Sequence, residues 1–360
     1  MSAAEKRHVR FGIIGTGRIA GHFAEDLRLV RDVSLHSVLS RKLASAETFR
    51  QSHGAIRAFD SIDDFLSDAD LDAVYVASPN SEHFGHALKA ILAGKAVLIE
   101  KPMALRAADA SQIAKEAEKN GVFAMEAMWI RFLPGILQAK ALLASGAIGE
   151  VTAVRGELSY ENQYNPQNRL FDPKLGGGAS LDLGVYLLSL TILLFGVPLN
   201  ISGSWKAAPN GVDLSAAYSL AYPAFQADLL AGLDKTRGNS FEISGSQGVL
   251  RIDDPFIQGK SLRILNRRAA TSNLLRQTFG RPMSKLQKLA MRMPIPGQRR
   301  WRFNYPGHGL QFQAEALANA VRHRETKPTI AMRSDSSAVL AIIEQVLAQK
   351  AERRPSKTTI

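Results

Sequence analysis

The chain has 360 residues, 46% hydrophobic and 22% charged, a balance suited to globular folding with enough length for two cores. Cysteine is absent, which excludes disulfides, thiolate-ligated iron–sulfur clusters and cysteine nucleophiles. The formal charge is +12, but residues 255–306 hold twelve Lys or Arg and no Asp or Glu; the excess sits in one segment, and no aromatic-basic pattern of a nucleic-acid module accompanies it.

In chain order, "VRFGIIG" (9–15) predicts a strand ending in glycine, and "RIAGHFAEDLRLV" after it a helix. Strands follow at 33–40, 71–79 and 96–100, with a short one at 122–127; helices lie between them at "KLASAETFRQSH", "SEHFGHALKAILAG" and 106–119. Strands alternating with helices imply a parallel sheet with right-handed crossovers. Residues 8–127 are therefore expected to form a doubly wound α/β domain. After Pro134 a helix to about Ser145 gives way to six runs, from "EVTAVRGELSY" to "GVLRIDD", several with period-2 alternation, with helices near 180–195, 309–323 and 335–352. Residues 128–353 are expected to form an α+β domain on a largely antiparallel sheet. With no stretch of 18 uninterrupted apolar residues and no signal-type amino terminus, a cytoplasmic protein is expected.

"GIIGTGRIAGHF" places Gly15, Thr16, Gly17, Arg18, Ile19 and Ala20 between the first strand and the first helix. One glycine allows the tight turn, the next lets backbone approach a pyrophosphate, and a small third residue packs the helix closely at an end that favours anions. In NAD-preferring sites the second strand ends in an acid that takes the ribose hydroxyls. Here Ser40 and Arg41 stand there; Arg41 can pair with a 2′-phosphate, so NADP is expected over NAD, the other reading of Arg41 being a solvated loop.

With Gly15–Ala20, "ASPNSEH" (77–83), "EKP" (100–102), "EAMWIRFLP" (126–134) and "GGGASLDLGVY" (176–186) in this order, the chain resembles the Gfo/Idh/MocA oxidoreductase family over nearly its full length. Tyr186, where many members carry histidine, makes it similar to the branch of dihydrodiol dehydrogenases, xylose 1-dehydrogenase and glucose–fructose oxidoreductase. The resemblance implies a Rossmann domain followed by an open-sheet domain, a homodimer or homotetramer, and a catalytic Lys101 whose bond to Pro102 is often cis. It also implies a strand-end loop of Ser78, Pro79, Asn80 and His83 near the cofactor, with Asn80 by the nicotinamide ribose. Ligands of open α/β sheets lie beyond the carboxyl ends of the strands, which puts Lys101 at the crevice. Glu100 then fixes the lysine or the cofactor, or forms a structural ion pair.

Hydride transfer from a carbinol needs a base for the hydroxyl proton. A free tyrosine, near pKa ~10, is a poor one, and an ammonium beside it lowers that value. Tyr186 is thus read as the acid/base and Lys101 as its electrostatic partner. Asp182, four residues before Tyr186 on a predicted helix, is read as an orienting acceptor, or alternatively as a helix cap. Trp129, Arg131 and Phe132 are expected to border the substrate pocket, core packing being the competing reading of the aromatics. Glycines 176–178 let backbone pass near a ligand or simply turn. His83 and His86 lack a third ligand at useful spacing, so no metal is expected.

The expected activity is hydride transfer between NADP, or NAD, and a carbinol carbon of a sugar or cyclic polyol, aldose C1 first; alternatives are a trans-dihydrodiol dehydrogenase and a dinucleotide sensor without turnover. The basic insert at about 270–303 carries Leu275, Phe279, Met283, Leu286 and Met293 at helical spacing with Arg and Lys opposite. It reads as a helix packed on protein, or less simply as one lying on an anionic membrane. No nucleic-acid partner is expected.

Overall fold

The computed structural model describes residues 7–266, 297–326 and 335–351. The chain forms two compact units, one of Met1–Phe132 with Tyr305–Ser337 and one of Leu133–Asn304 with Ala338–Ile360.

The first unit opens with six strands, β1 (Val9–Ile14), β2 (Val33–Leu39), β3 (Arg57–Phe59), β4 (Ala73–Val76), β5 (Ala96–Glu100) and β6 (Ala124–Ala127), and five helices, α1 (Arg18–Leu27), α2 (Leu43–His53), α3 (Ile62–Leu66), α4 (His83–Leu92) and α5 (Ala107–Lys119). All strand pairs are parallel, in the order β3-β2-β1-β4-β5-β6. Every residue of β4 and β5 is buried, as helices on both faces of a parallel sheet require. The order reverses between β1 and β4, the place where such sheets take ligands. β3 and α3 were not expected. Both are very short, and α3 is set by a local cap, the Ser61 hydroxyl accepting from the Asp64 amide at 3.3 Å.

The second unit carries α6 (Pro134–Ala144), α7 (Val185–Phe195) and eight strands: β7 (Val151–Ser159), β8 (Asn200–Ala207), β9 (Asp213–Ala221), β10 (Gln226–Gly232), β11 (Asn239–Gly245), β12 (Gly248–Ile252), β13 (Ser261–Asn266) and β14 (Gln298–Arg302). The order is β14-β13-β12-β11-β7-β10-β9-β8. Among the described residues only the β7–β10 pair is parallel, so the expected open and largely antiparallel sheet is present, with β13 and β14 added. Pro173–Phe195 is long and apolar enough to cross a membrane by length and composition, yet 67% of that apolar window is buried. Its apolarity serves the unit's own core. Of the basic insert, residues 267–296, and with them the amphipathic helix and its packing or membrane readings, lie outside the described residues.

The chain then returns to the first unit as α8 (Gln311–His323). Leu310, Ala314, Leu317, Ala318 and Ala320 join the cluster of Phe11, Phe23, Tyr75 and Leu98. Buried Asp26 at the end of α1 anchors this return by accepting the amides of His308 at 2.9 Å and Leu310 at 2.8 Å. α9 (Ser336–Leu347) begins in the first unit and ends in the second.

Candidate active site

At the carboxyl end of β1, Gly15 has φ +109°, and an added Cβ would lie 2.6 Å from the Ala77 carbonyl oxygen; only glycine fits. Gly17 begins α1 with no side-chain cap and no acid in the first turn, and a Cβ there would meet nothing within 4 Å. An uncapped helix start beside open space, at the switch point of the sheet, fits the diphosphate of a dinucleotide. Arg18 is exposed and Ile19 packs on the apolar cluster. Thr16 Oγ1 lies 3.5 Å from Ser40 Oγ, so the ends of β1 and β2 come together, with Arg41 exposed beside them.

Lys101 follows β5, half-buried, and its bond to Pro102 is cis. The backbone here is held by side chains. Glu100 takes the Tyr75 hydroxyl on Oε1 and the Lys101 amide on Oε2 at 3.1 Å. Burial pushes its carboxyl up to about 7, against the opposing pull of the Tyr75 hydroxyl and of the Lys101 charge. Glu126 on β6 accepts the Met103 amide at 2.9 Å and the Ser336 hydroxyl at 2.6 Å, and burial raises its carboxyl as well.

His83 corrects the expectation of direct cofactor contact. It is 0% exposed, with Nδ1 2.8 Å from the Pro102 carbonyl and Nε2 2.9 Å from that of Ser78. Burial lowers the imidazole from its ordinary value, against the pull of the two carbonyls. His86 Nδ1 lies 2.9 Å from Ser78 Oγ. Pro79 and Asn80 begin a short 3₁₀ turn at the end of β4, on the same edge of the sheet as Gly15 and Lys101.

Trp129, Arg131 and Phe132 share one 3₁₀ turn. Trp129 and Phe132 pack against the apolar cluster, which favours the core reading of these aromatics. Arg131 also departs from expectation: it is 5% exposed and pairs through Nη2 with Asp335 at 3.4 Å. A guanidinium so enclosed is a brace within its unit.

In the second unit Ser180–Gly184 is a π-helical turn that runs into α7. Asp182 lies in the wide turn and Tyr186 in the first turn of α7, both half-buried; π-turns often mark functional positions. The turn is held from β9. Buried Asp213 accepts the Ser180 amide at 2.6 Å, and the Tyr218 hydroxyl donates to Ser180 Oγ at 2.6 Å. Burial pushes Asp213 up to about 6 and drives the Tyr218 phenol far up. Glycines 176–178 have a structural reason: Cβ atoms would lie 2.7 Å from the Leu170 oxygen at Gly177 and 2.0 Å from Asp213 Oδ1 at Gly178.

Tyr160, just after β7, is a candidate that sequence reasoning missed. Its hydroxyl accepts from Asn239, burial first and the neighbouring Asp254 and Tyr186 after it raise its phenol above the ordinary value, and it is 40% exposed. Exposed aromatic area next to an expected acid/base is the signal, and it appears only once β7 and β11 pair.

Comparisons with known proteins bear on what these parts belong to. Residues 9–128 match the family described as "Oxidoreductase family, NAD-binding Rossmann fold", and residues 136–251 match the "GFO/IDH/MocA C-terminal domain". Trans-1,2-dihydrobenzene-1,2-diol dehydrogenase of Bos taurus is 31% identical over 252 residues, covering 69% of this chain and 75% of the relative. The scyllo-inositol 2-dehydrogenase (NADP(+)) of Bacillus subtilis is 34% identical over 251 residues, covering 68% and 76%. Among solved structures, aldose-aldose oxidoreductase from Caulobacter crescentus superposes with a TM-score of 0.79 at 22% identity, covering 95% of this chain and 97% of that one. A 3-ketoreductase from Actinomadura kijaniata in complex with NADP gives 0.79 at 21% identity, covering 97% and 100%. These two structures share the fold. The chain belongs to the GFO/IDH/MocA family and is an NAD(P)-binding oxidoreductase acting on a small molecule.

Proposed function

We propose that the protein is an NADP-dependent dehydrogenase that oxidises a carbinol carbon of a sugar or cyclic polyol, a pyranose C1 being the first choice and a lactone its product. The nicotinamide, when bound, supplies the hydride acceptor. The glycine turn and the start of α1 receive the diphosphate, while Arg41, beside Ser40, takes the 2′-phosphate by a charge-assisted pair. Tyr186 removes the hydroxyl proton as the carbon gives up hydride. Lys101 favours the tyrosinate by its charge, and Asp182 accepts a hydrogen bond that orients the reacting hydroxyl.

The observation that carries this reading is Lys101 itself, a half-buried cation at the carboxyl end of β5 whose backbone is held by buried carboxyls. Substrates with vicinal hydroxyls on a ring are favoured because the relatives named above act on a dihydrodiol and an inositol. The former supports a second reading, a trans-dihydrodiol as substrate.

Turnover of aldoses, inositols and trans-dihydrodiols with each cofactor tests both. The expected outcome is kcat/KM at least about tenfold higher with NADP than with NAD, with Arg41→Ala removing most of that preference by raising KM for NADP, worth roughly 1.4 kcal/mol. NADP binding with no turnover across the panel would overturn the proposal in favour of a sensor.

A further inference from the structure

We infer that Glu126 is a positioning residue for Lys101, acting with His83 and Glu100 as a three-point grip on the backbone that carries the lysine. The inference rests on the reading of Lys101 as the catalytic cation.

Three successive backbone groups leave β5, and each meets a buried ionisable side chain from a different element. The Lys101 amide donates to Glu100 of β5, the Pro102 carbonyl faces His83 of α4, and the Met103 amide donates to Glu126 of β6. The side chains are 7%, 0% and 6% exposed. Burying such groups is costly, and apolar residues would fill the volume at less cost. What an apolar residue cannot supply is direction.

Glu126, like Glu100, is held at both of its oxygens. Its strand runs parallel to β5, with Glu126 opposite Ile99, and its second oxygen is held by the Ser336 hydroxyl at 2.6 Å. With both oxygens engaged, the carboxyl cannot turn away from Met103. It also lies within the field of Lys101 and of Arg131, both of which favour its charged form. One group therefore fixes the path of the chain two residues beyond the lysine. Displacing a catalytic group by about 1 Å can cost on the order of 10²-fold in rate.

The experiment uses the full-length enzyme with Glu126→Ala and Glu126→Gln, each in wild-type and Lys101→Ala backgrounds. It measures kcat, KM, NADP affinity by nicotinamide fluorescence, and Tm. Glu126→Ala is expected to lower kcat by about 10²-fold with KM and NADP affinity within roughly threefold. Glu126→Gln, whose amide oxygen still accepts from Met103, is expected to recover kcat to within about tenfold of wild type. In the Lys101→Ala background Glu126→Ala should remove nothing further, because residues acting as a unit are non-additive.

A full additional loss in that background, or a Glu126→Gln enzyme as slow as Glu126→Ala, would overturn the inference. Wild-type turnover by Lys101→Ala alone would overturn the underlying reading instead, so the two failures are distinct. Should Glu126→Ala not fold, Ser336→Ala serves: a several-fold fall in kcat at unchanged Tm supports the grip, and unchanged kcat overturns it.

Discussion

Lys101 and Tyr186 are both half-buried side chains on short irregular stretches, one just after a strand and one where a π-turn becomes a helix, yet their units brace them by different means. Around Lys101 the bracing groups are ionisable: Glu100, Glu126 and His83. Around Tyr186 they are mostly neutral or steric: the hydroxyls of Tyr218 and Ser180 and the close approaches at Gly177 and Gly178, with Asp213 as the exception. Under the proposed roles of cation and acid/base, the contrast follows from the charge each residue would carry. Carboxylates near an ammonium stabilise it while they fix the backbone. A ring of carboxylates near a phenol would oppose its ionisation.

The largest effect should come from the two side chains themselves. Lys101→Met and Tyr186→Phe are each expected to reduce kcat by about 10³-fold, with NADP affinity changed less than threefold, in single-turnover and fluorescence measurements. Losses confined to one of them would break the comparison, because both braces would then not serve one reaction. The next largest concerns the steric brace. Gly178 has φ +120° and no room for a Cβ, so Gly178→Ala should cost about 3 kcal/mol and lower Tm by roughly 6–12 °C in thermal denaturation. An unchanged Tm would show that the π-turn does not depend on that approach.

Much of this was legible in the sequence because it rests on local patterns. Alternating strands and helices gave the parallel sheet, and the glycine spacing marked the turn after β1. Lys101 at the end of an apolar run stands, as expected, at the carboxyl end of a strand. What could not be read depends on long-range pairing. His83 looked like a loop residue, but α4 turns it inward against Pro102. Arg131 looked like a pocket residue, and its partner Asp335 lies 204 positions away. α8 reads as one more amphipathic helix, and nothing local says that it returns to the first core rather than closing the second. β3 is three residues long, too short for any periodicity to register, and β14 is rich in Arg, with no apolar alternation to announce a strand.

The smallest expected effect is also the one that separates the two braces most directly, through the pH dependence of stability. Glu100 is raised from 4.5 to about 7 and Asp213 from 3.8 to about 6, in both cases by burial. An acid raised in the folded state keeps its proton over an interval in which the unfolded chain has already ionised, so the folded state binds the extra proton there. Stability then falls as pH rises through the interval and levels off above the folded value. For Glu100 the fall runs from about 4.5 to about 7; for Asp213 it runs from about 3.8 to about 6. Subtracting the urea-unfolding curve of Glu100→Gln from that of wild type should therefore give a difference that changes steeply between pH 6 and 7, whereas the Asp213→Asn difference should change less there and level off at lower pH. Two difference curves that level off together would mean that the carboxyl beside Lys101 is no harder to ionise than the one beneath the π-turn, and that burial holds the two acids alike.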